Sequence, residues 1–356
     1  MQLNYNGISH SSSTYQLSTS VLLEKLGIHK KQWFLDYNKG STEAVDNLLG
    51  IKYLLSKEPI NKDYQELFEQ ESIKVYENEN ALPLAFAAKN QIIYTDLENK
   101  NTFEAQNEIY KSITGENKNI FTEEDNYEID TENLLISQSN FYTTYTRQDE
   151  EIGGIIKYTI KVTDTKNLYA YIQSNEDDEV NIYVNGDKYG EAFDSYSTEM
   201  IDLGKNKIGD TITLEIMLKK SKFTLKEFEL YYEDTQMLRE YCDIIKQEGV
   251  NLEKISSSKL RGTVDIKDKN KYILFTIPYS EGWKVKVDGN EVKKYEIMDS
   301  LIAIEIEQGE HIIEMQYTPI GFKTGAAISI ISIISMLLIL IIDKKTATKV
   351  EKKKNV

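Results

Sequence analysis

The sequence predicts an α+β, mainly β protein: an N-terminal α/β region, two β-sandwich-like modules and one C-terminal transmembrane helix. Three observations carry this. Between residues 127 and 317, short segments alternate apolar and polar side chains and are separated by Gly, Asn and Asp turns, as half-buried strands do. Before residue 127, apolar residues recur at helical spacing and the runs stop at glycines. Gly325–Ile342 is a stretch of eighteen residues without a charged side chain.

Residues 1–98 read as a mixed α/β domain. In "STYQLSTSVLLEKLG" the spacing of Leu17, Val21, Leu22 and Leu26 predicts a helix that stops at Gly27. "STEAVDNLLG" predicts a second helix, capped by Ser41 or Thr42 and closed by Gly50. "IKYLLS" reads as a strand and "YQELFEQ" as a short helix. "SIKVYEN" and "LPLAFAAK" read as strands joined by the polar turn at Glu77–Asn80. Residues 99–126 read as a polar connector holding one amphipathic helix, "FEAQNEIYKSITG".

The first β-sandwich-like module spans 127–235, with strands in "KYTIKVT", "LYAYIQS", "VNIYVNG", "TITLEIML" and "FELYYED". The second spans 236–318. It opens with the helix "TQMLREYCDIIKQEG" and continues through "GTVDIK", "KYILFTIPYS", "WKVKVDGNEVKKYE", "LIAIEIE" and "HIIEMQYT". Asn185-Gly186 and Asp288-Gly289 each follow an alternating strand, a strong hairpin signal in both modules.

The apolar run closes the chain. Eighteen residues make about 27 Å of helix, close to the thickness of a bilayer's hydrocarbon. Its eight Ile and three Leu favour insertion by about 3–7 kcal/mol in total. Few soluble helices are apolar on every face for this length. Ile320 and Phe322 extend the segment to 320–342, and Phe322, Lys323, Lys344 and Lys345 are the expected membrane anchors, lysine snorkelling to the interface. The tail 343–356 carries six Lys against Asp343 and Glu351, which by the positive-inside rule places it in the cytoplasm and the body outside.

Net charge is −16 for 356 residues, and the basic tail leaves about −20 on the body. Such a body lacks the basic face that phosphate binding needs, so nucleic acid is excluded as a partner. A single cysteine, Cys242, excludes an internal disulfide. Residues 1–25 have no charged n-region and no apolar run longer than Val21-Leu22-Leu23, so no signal peptide is read there. The body is then expected either to lie in the cytosol of a tail-anchored protein or to end a longer membrane protein. The lysine tail argues for the second.

The stretch "TIPYSEGWKVKVDGNEVKK", the following "LIAIEIEQGEHIIEMQYTPIGFKTGAAISIIS", and the segments "GSTEAVDNLLGIKYLL", "VYENENALPLAFA" and "FEAQNEIYKSITG" resemble the C-terminal part of YfhO-type bacterial membrane proteins. The block Ile277–Gly289 is quite specific. The resemblance implies kinship with polytopic glycosyltransferases that use lipid-linked sugars and glycosylate teichoic acids in Gram-positive cell envelopes. It implies a multi-span membrane half preceding Met1, holding the catalytic carboxylate, so no catalytic residue is carried onto this chain. The partners implied are the lipid bilayer, that membrane half, and cell-wall glycan or teichoic acid. The alternative is a free-standing, membrane-anchored glycan-binding or structural surface module.

Site candidates are few. His10, His29 and His311 lack paired-ligand spacing, and no metal or cofactor is implied. The acidic run Glu176–Glu179 with Asn181 lacks the spacing of a calcium loop and reads as a solvated turn. "HSSST" (His10 to Thr14) reads as a polar loop rather than a triad, and there is no G-x-S-x-G elbow or phosphate loop. The aromatic residues Tyr279, Trp283 and Tyr295 flank the Asp288-Gly289 hairpin and are the candidate glycan-binding residues, since sugar rings stack on flat aromatic faces. The competing reading has Trp283 anchoring the sandwich core. Gly282 signals a close backbone approach.

Overall fold

Tyr169 and Leu168 are neighbours on one strand, yet their side chains enter different cores, and that alternation explains the architecture. The computed structural model describes residues 7–8, 10–11, 16–31, 34–37, 41–57 and 59–354. The described residues are mainly β, with small helices in the N-terminal part and one long C-terminal helix.

The first sandwich packs two antiparallel sheets. One has the order Asp187–Ala192, Val180–Val184, Thr211–Leu218, Gly154–Lys161, Tyr127–Glu132; the other has Thr198–Lys205, Asn167–Gln173, Glu227–Glu233, Phe121–Glu123. Ile156, Tyr158 and Ile160 alternate inward against Ile212, Leu214 and Ile216, as the period of two requires. In the facing sheet Leu168, Ala170 and Ile172 complete this core, while Tyr169 and Tyr171 point the other way.

The second sandwich repeats the device. Its inner sheet has the order Lys294–Ile297, Leu301–Ile306, Lys271–Pro278, Ala85–Lys89. Ile273, Phe275, Ile302 and Ile304 face the sheet built from Glu253–Ser256, Lys259–Ile266, Gly309–Tyr317, Trp283–Val287 and Asn290–Glu291. Leu274, Ala303 and Phe86 face away from it.

Between the two inner sheets lies a helical layer. It holds Leu17–Lys25, Glu43–Leu48, Thr102–Thr114 and Thr235–Lys246, all contributing to one central core with Tyr169, Tyr171, Leu274 and Ala303. The layers therefore run sheet, sheet, helices, sheet, sheet. Thr102–Thr114 is the hub. Asn101 and Glu104 form a capping box, Gly115 ends the helix with φ 79°, and Phe103, Ile109, Tyr110 and Ile113 are buried. Phe103 stacks on Tyr231 at 4.4 Å between ring centroids. Fully burying side chains of this size contributes about 1.5–3 kcal/mol each. In Thr235–Lys246, capped by Asp234, the residues Leu238, Tyr241, Cys242 and Ile245 form the buried stripe.

One expectation fails. "YQELFEQ" is not a helix: Gln65–Gln70 is a strand, paired antiparallel with Ile73–Glu77, which also pairs with Tyr53–Ser56. The turn between them uses Glu71 and Ser72, both with positive φ (51° and 62°). Without a glycine at either position, the hairpin left no signal in the sequence. The two hairpins that did carry signals form as expected, Asn185-Gly186 and Asp288-Gly289 each placing two left-handed residues between paired strands.

The last helix runs from Phe322 to Lys354. Phe322–Ile342 is the one segment among the described residues long and apolar enough to cross a membrane, and its apolar side chains pack against nothing in the body. At 1.5 Å per residue its 21 residues span about 31 Å. Ile320 lies in the turn before the helix rather than within it.

Candidate functional site

The structure separates the three aromatic candidates. Tyr279 and Trp283 rest on the core of the second sandwich, whereas Tyr295 packs on the central core, on the opposite face of the inner sheet. Trp283 faces Tyr317 with ring centroids 5.0 Å apart. The Tyr279 hydroxyl donates to Glu281 at 2.9 Å, and the Lys294 ammonium lies 4.9 Å over its ring. Tyr295 meets Tyr272 edge-on at 5.7 Å. No single surface carries all three rings.

Of the other candidates, Phe322 and Lys323 open the helix, and Lys344 and Lys345 lie further along it. The acidic turn is occupied by protein groups. Asp178 accepts from the Thr224 backbone N–H at 2.7 Å, and Lys220 and Lys219 hold the Glu179 carboxyl below its ordinary range. His311 Nδ1 lies 2.8 Å from Asp288, which also accepts from the Ile312 N–H at 2.8 Å, so this pair braces the hairpin. His10 lies in a short strand, and Ser12 to Thr14 fall outside the described residues. No group of three metal-ligating side chains is assembled among the described residues.

The feature that sequence reasoning missed is a cleft of about 1270 Å³ in the open side of the helical layer. Its walls are the helix Leu17–Lys25, residues 93–102, the sheet residues Tyr171, Gln173, Thr198 and Glu227, and the turn Glu296–Asp299. Tyr94 is 79% exposed there and Leu17 66%. Six carboxylates line it (Glu24, Asp96, Glu98, Glu227, Glu296, Asp299) against Lys25 and Lys100. Behind Glu227, on the same face of its strand, burial and the Glu227 carboxylate push the Glu229 carboxyl up to about 8. Glu229 accepts from the Asn101 side chain at 2.9 Å. Glu229 stands behind the lining, and the side chain that faces the cleft from this strand is Glu227, whose carboxyl oxygens suit hydroxyl groups.

The rim is built from unusual backbone. Met298 and Asp299 have φ of 49° and 50° in the turn closed by the Ser300 N–H and Ile297 carbonyl at 3.1 Å, and Asn99 has φ 57°. Left-handed backbone at a non-glycine residue costs on the order of 1 kcal/mol. No local pattern announces this cleft, because its walls come from six separate stretches of chain. The sole sequence signal is an aromatic residue, Tyr94, at the start of a polar connecting segment.

The family model described as bacterial membrane protein YfhO matches residues 1–329. The chain belongs to the YfhO family of bacterial membrane proteins. A curated relative, the uncharacterized protein YfhO of Bacillus subtilis (strain 168), is 24% identical over 320 residues, covering 83% of this chain and 36% of the relative. The chain thus spans little more than a third of that relative's length. Likenesses among solved structures are remote. A conserved protein of unknown function from Pseudomonas aeruginosa PAO1 is 10% identical, covering 53% of this chain and 92% of its own, with a TM-score of 0.15. A β-glucuronidase from Ruminococcus gnavus in complex with D-glucuronic acid is 9% identical, covering 48% of this chain and 34% of its own, with a TM-score of 0.21. Scores this low do not establish a common fold.

In this YfhO-family chain, the Ile277–Gly289 block lies where the body meets the apolar helix. The Gly282 carbonyl accepts from the Thr318 N–H at 2.9 Å. A Cβ on Gly282 would stand 2.6 Å from the Thr318 carbonyl oxygen and 2.7 Å from the Tyr317 ring, so only glycine lets the two segments approach this closely. The cleft adjoins the same place: the Gln16 side chain, at the start of the cleft's first helix, donates to the Tyr279 carbonyl at 2.8 Å.

Proposed function

We propose that this chain is the extracytoplasmic C-terminal portion of a YfhO-type membrane protein that moves a sugar from a lipid carrier to a cell-wall polymer such as teichoic acid, and that the Tyr94 cleft receives a unit of the acceptor. Phe322–Ile342 crosses the membrane, the basic end lies in the cytoplasm, and catalysis belongs to a membrane half outside this sequence. The observation that carries the reading is the cleft itself, an open, carboxyl-lined trough with an exposed tyrosine, tied through Gln16 and Tyr279 to the chain's route into the membrane. Charge decides which part of the polymer fits. Carboxylates at this density repel phosphate, so the cleft takes a neutral sugar or polyol unit through its hydroxyls, with Tyr94 as the stacking surface.

The test is binding of neutral cell-wall oligosaccharides to the detergent-solubilised chain by calorimetry, with Tyr94→Ala and Glu227→Gln as variants. Saturable binding weakened about tenfold or more by either substitution is expected, the size of losing one good contact of about 1.4 kcal/mol. Binding that both variants leave untouched sinks the assignment of the cleft. No binding by the parent chain favours the alternative of a structural surface module.

A further inference from the structure

We propose that Trp283, Tyr317 and the turn Ser256–Ser258 form an interfacial collar that rests the body on the bilayer, with the lipid headgroup layer as its partner. The inference rests on Phe322–Ile342 crossing the membrane, and not on sugar transfer or on which side the body occupies.

The argument begins with the length of the link. The last strand ends at Tyr317 and the apolar helix begins at Phe322. Even fully extended, five residue steps reach only about 17 Å. They are not extended, since the Phe322 N–H donates to the Pro319 carbonyl at 3.1 Å and the Gly325 N–H to the Gly321 carbonyl at 2.8 Å. With Phe322 at the edge of the hydrocarbon, Tyr317 is held in or just above the headgroups.

Strand pairing then fixes what else lies at that level. Trp283 is the register partner of Tyr317, and the Tyr317 N–H donates to the Ser258 carbonyl at 2.8 Å. Ile255, 55% exposed, is on the strand leading into that turn. The opposite end of the same sheet, with Asp288, Gly289 and His311, lies about 20–27 Å away along strands that rise about 3.4 Å per residue. One end of the sheet therefore presents a Trp–Tyr pair, small hydroxyls and an exposed isoleucine, and it is the end the membrane helix leaves from. Amphipathic aromatic rings concentrate at this depth because their apolar bodies and polar edges are both satisfied there. Gly282 is the positioning residue: its close contact with Thr318 and Tyr317 keeps the link from swinging the body off the surface.

The experiment uses the full chain in phosphatidylcholine–phosphatidylglycerol vesicles. The sequence has two tryptophans, so Trp33→Phe leaves Trp283 as the only tryptophan, read by red-edge excitation that the tyrosines do not absorb. Lipids brominated near the glycerol backbone are expected to quench Trp283 by about half, and lipids brominated near the chain ends much less. A second readout does not depend on that variant. Ile255→Cys carries a nitroxide, and Cys242 does not compete for the label because it is buried and its thiol is pushed up to about 12. The nitroxide is expected to be more accessible to oxygen than to a water-soluble nickel chelate, as at a bilayer interface. Trp283 quenched only by aqueous iodide, or a nitroxide with the accessibility of bulk water, overturns the proposal.

Discussion

The ammonium of Lys62 meets the carboxylate of Asp46 inside the protein, the two side chains 7% and 0% exposed. Asp46 also accepts from Tyr37 and Tyr64, each at 2.7 Å, and from Ser41. Burial alone would lower the Lys62 ammonium, but Asp46 and Tyr37 outweigh it and hold it above its ordinary value. Glu43 and Glu233 are buried nearby, so this ammonium, with Lys205 also acting on Glu43, serves a strongly acidic neighbourhood. Lys62→Met removes it and leaves Asp46 an uncompensated buried charge. The expected cost is about 3–5 kcal/mol, read as a lower urea midpoint. The double variant Lys62→Met with Asp46→Asn should lose less than the two single losses added together.

Glu233 makes stability depend on pH in a defined direction. Burial first, and the Glu43 carboxylate second, push its carboxyl from 4.5 up to about 8. The folded state therefore binds this proton more tightly than the unfolded state does. The resulting stabilisation is complete below about pH 4.5 and is lost as pH rises through about 8. Glu233→Gln keeps a group able to accept from the Ala44 N–H, a bond of 2.9 Å in the parent, and cannot ionise. Urea titrations across this window should show a shallower decline for the variant than for the parent. Equal slopes would mean that Glu233 is already ionised in the folded state.

Gly282→Ala tests the contact between the body and its exit to the membrane. The added methyl would lie 2.6 Å from the Thr318 oxygen, and backbone has little room to yield. A loss of about 1–3 kcal/mol is expected, typical of overpacking. Gly289→Ala is the control for added bulk, because nothing lies within 4 Å of that position, and it should lose only what its φ of 82° imposes.

Much of the fold was legible because alternation and glycine placement are local. The strands around Tyr158, Ala170 and Ile216, the helix stripe from Leu238 to Ile245, and the tight approach at Gly282 all follow from short-range pattern. What was not legible depends on distant partners. Thr102–Thr114 reads as the helix of a polar connector, yet Gln106, Asn107 and Ser112 are buried. Asn107 exchanges two hydrogen bonds of 2.9 Å with the backbone of Phe121, and Thr42 donates to Gln106 at 2.6 Å. Those bonds make polar residues compatible with a core, and no pattern within the helix reveals them. Glu71-Ser72 and Met298-Asp299 escape for a related reason: tertiary pairing imposes left-handed turns on residues that do not advertise them. The cleft inherits that invisibility.

The Met298-Asp299 turn gives a prediction of opposite sign. Two consecutive left-handed residues suit Asn-Gly, and here Met and Asp hold φ of 49° and 50°. Met298→Asn with Asp299→Gly should raise stability by about 1–2 kcal/mol, seen as a higher urea midpoint at unchanged slope. Met298→Asn alone should recover part of that gain while leaving the Asp299 carboxylate on the cleft rim. Met298 also lines the cleft, so the single variant sets the reference for losing its side chain; if the Asp299 carboxylate helps hold a sugar unit, the double variant is more stable than the single one and binds less tightly than it does. A double variant that gains stability and keeps full affinity would remove Asp299 from the site and leave Tyr94 and Glu227 to carry it. A double variant that loses stability would mean that packing by the Met298 side chain, which rests on the central core, outweighs the backbone strain.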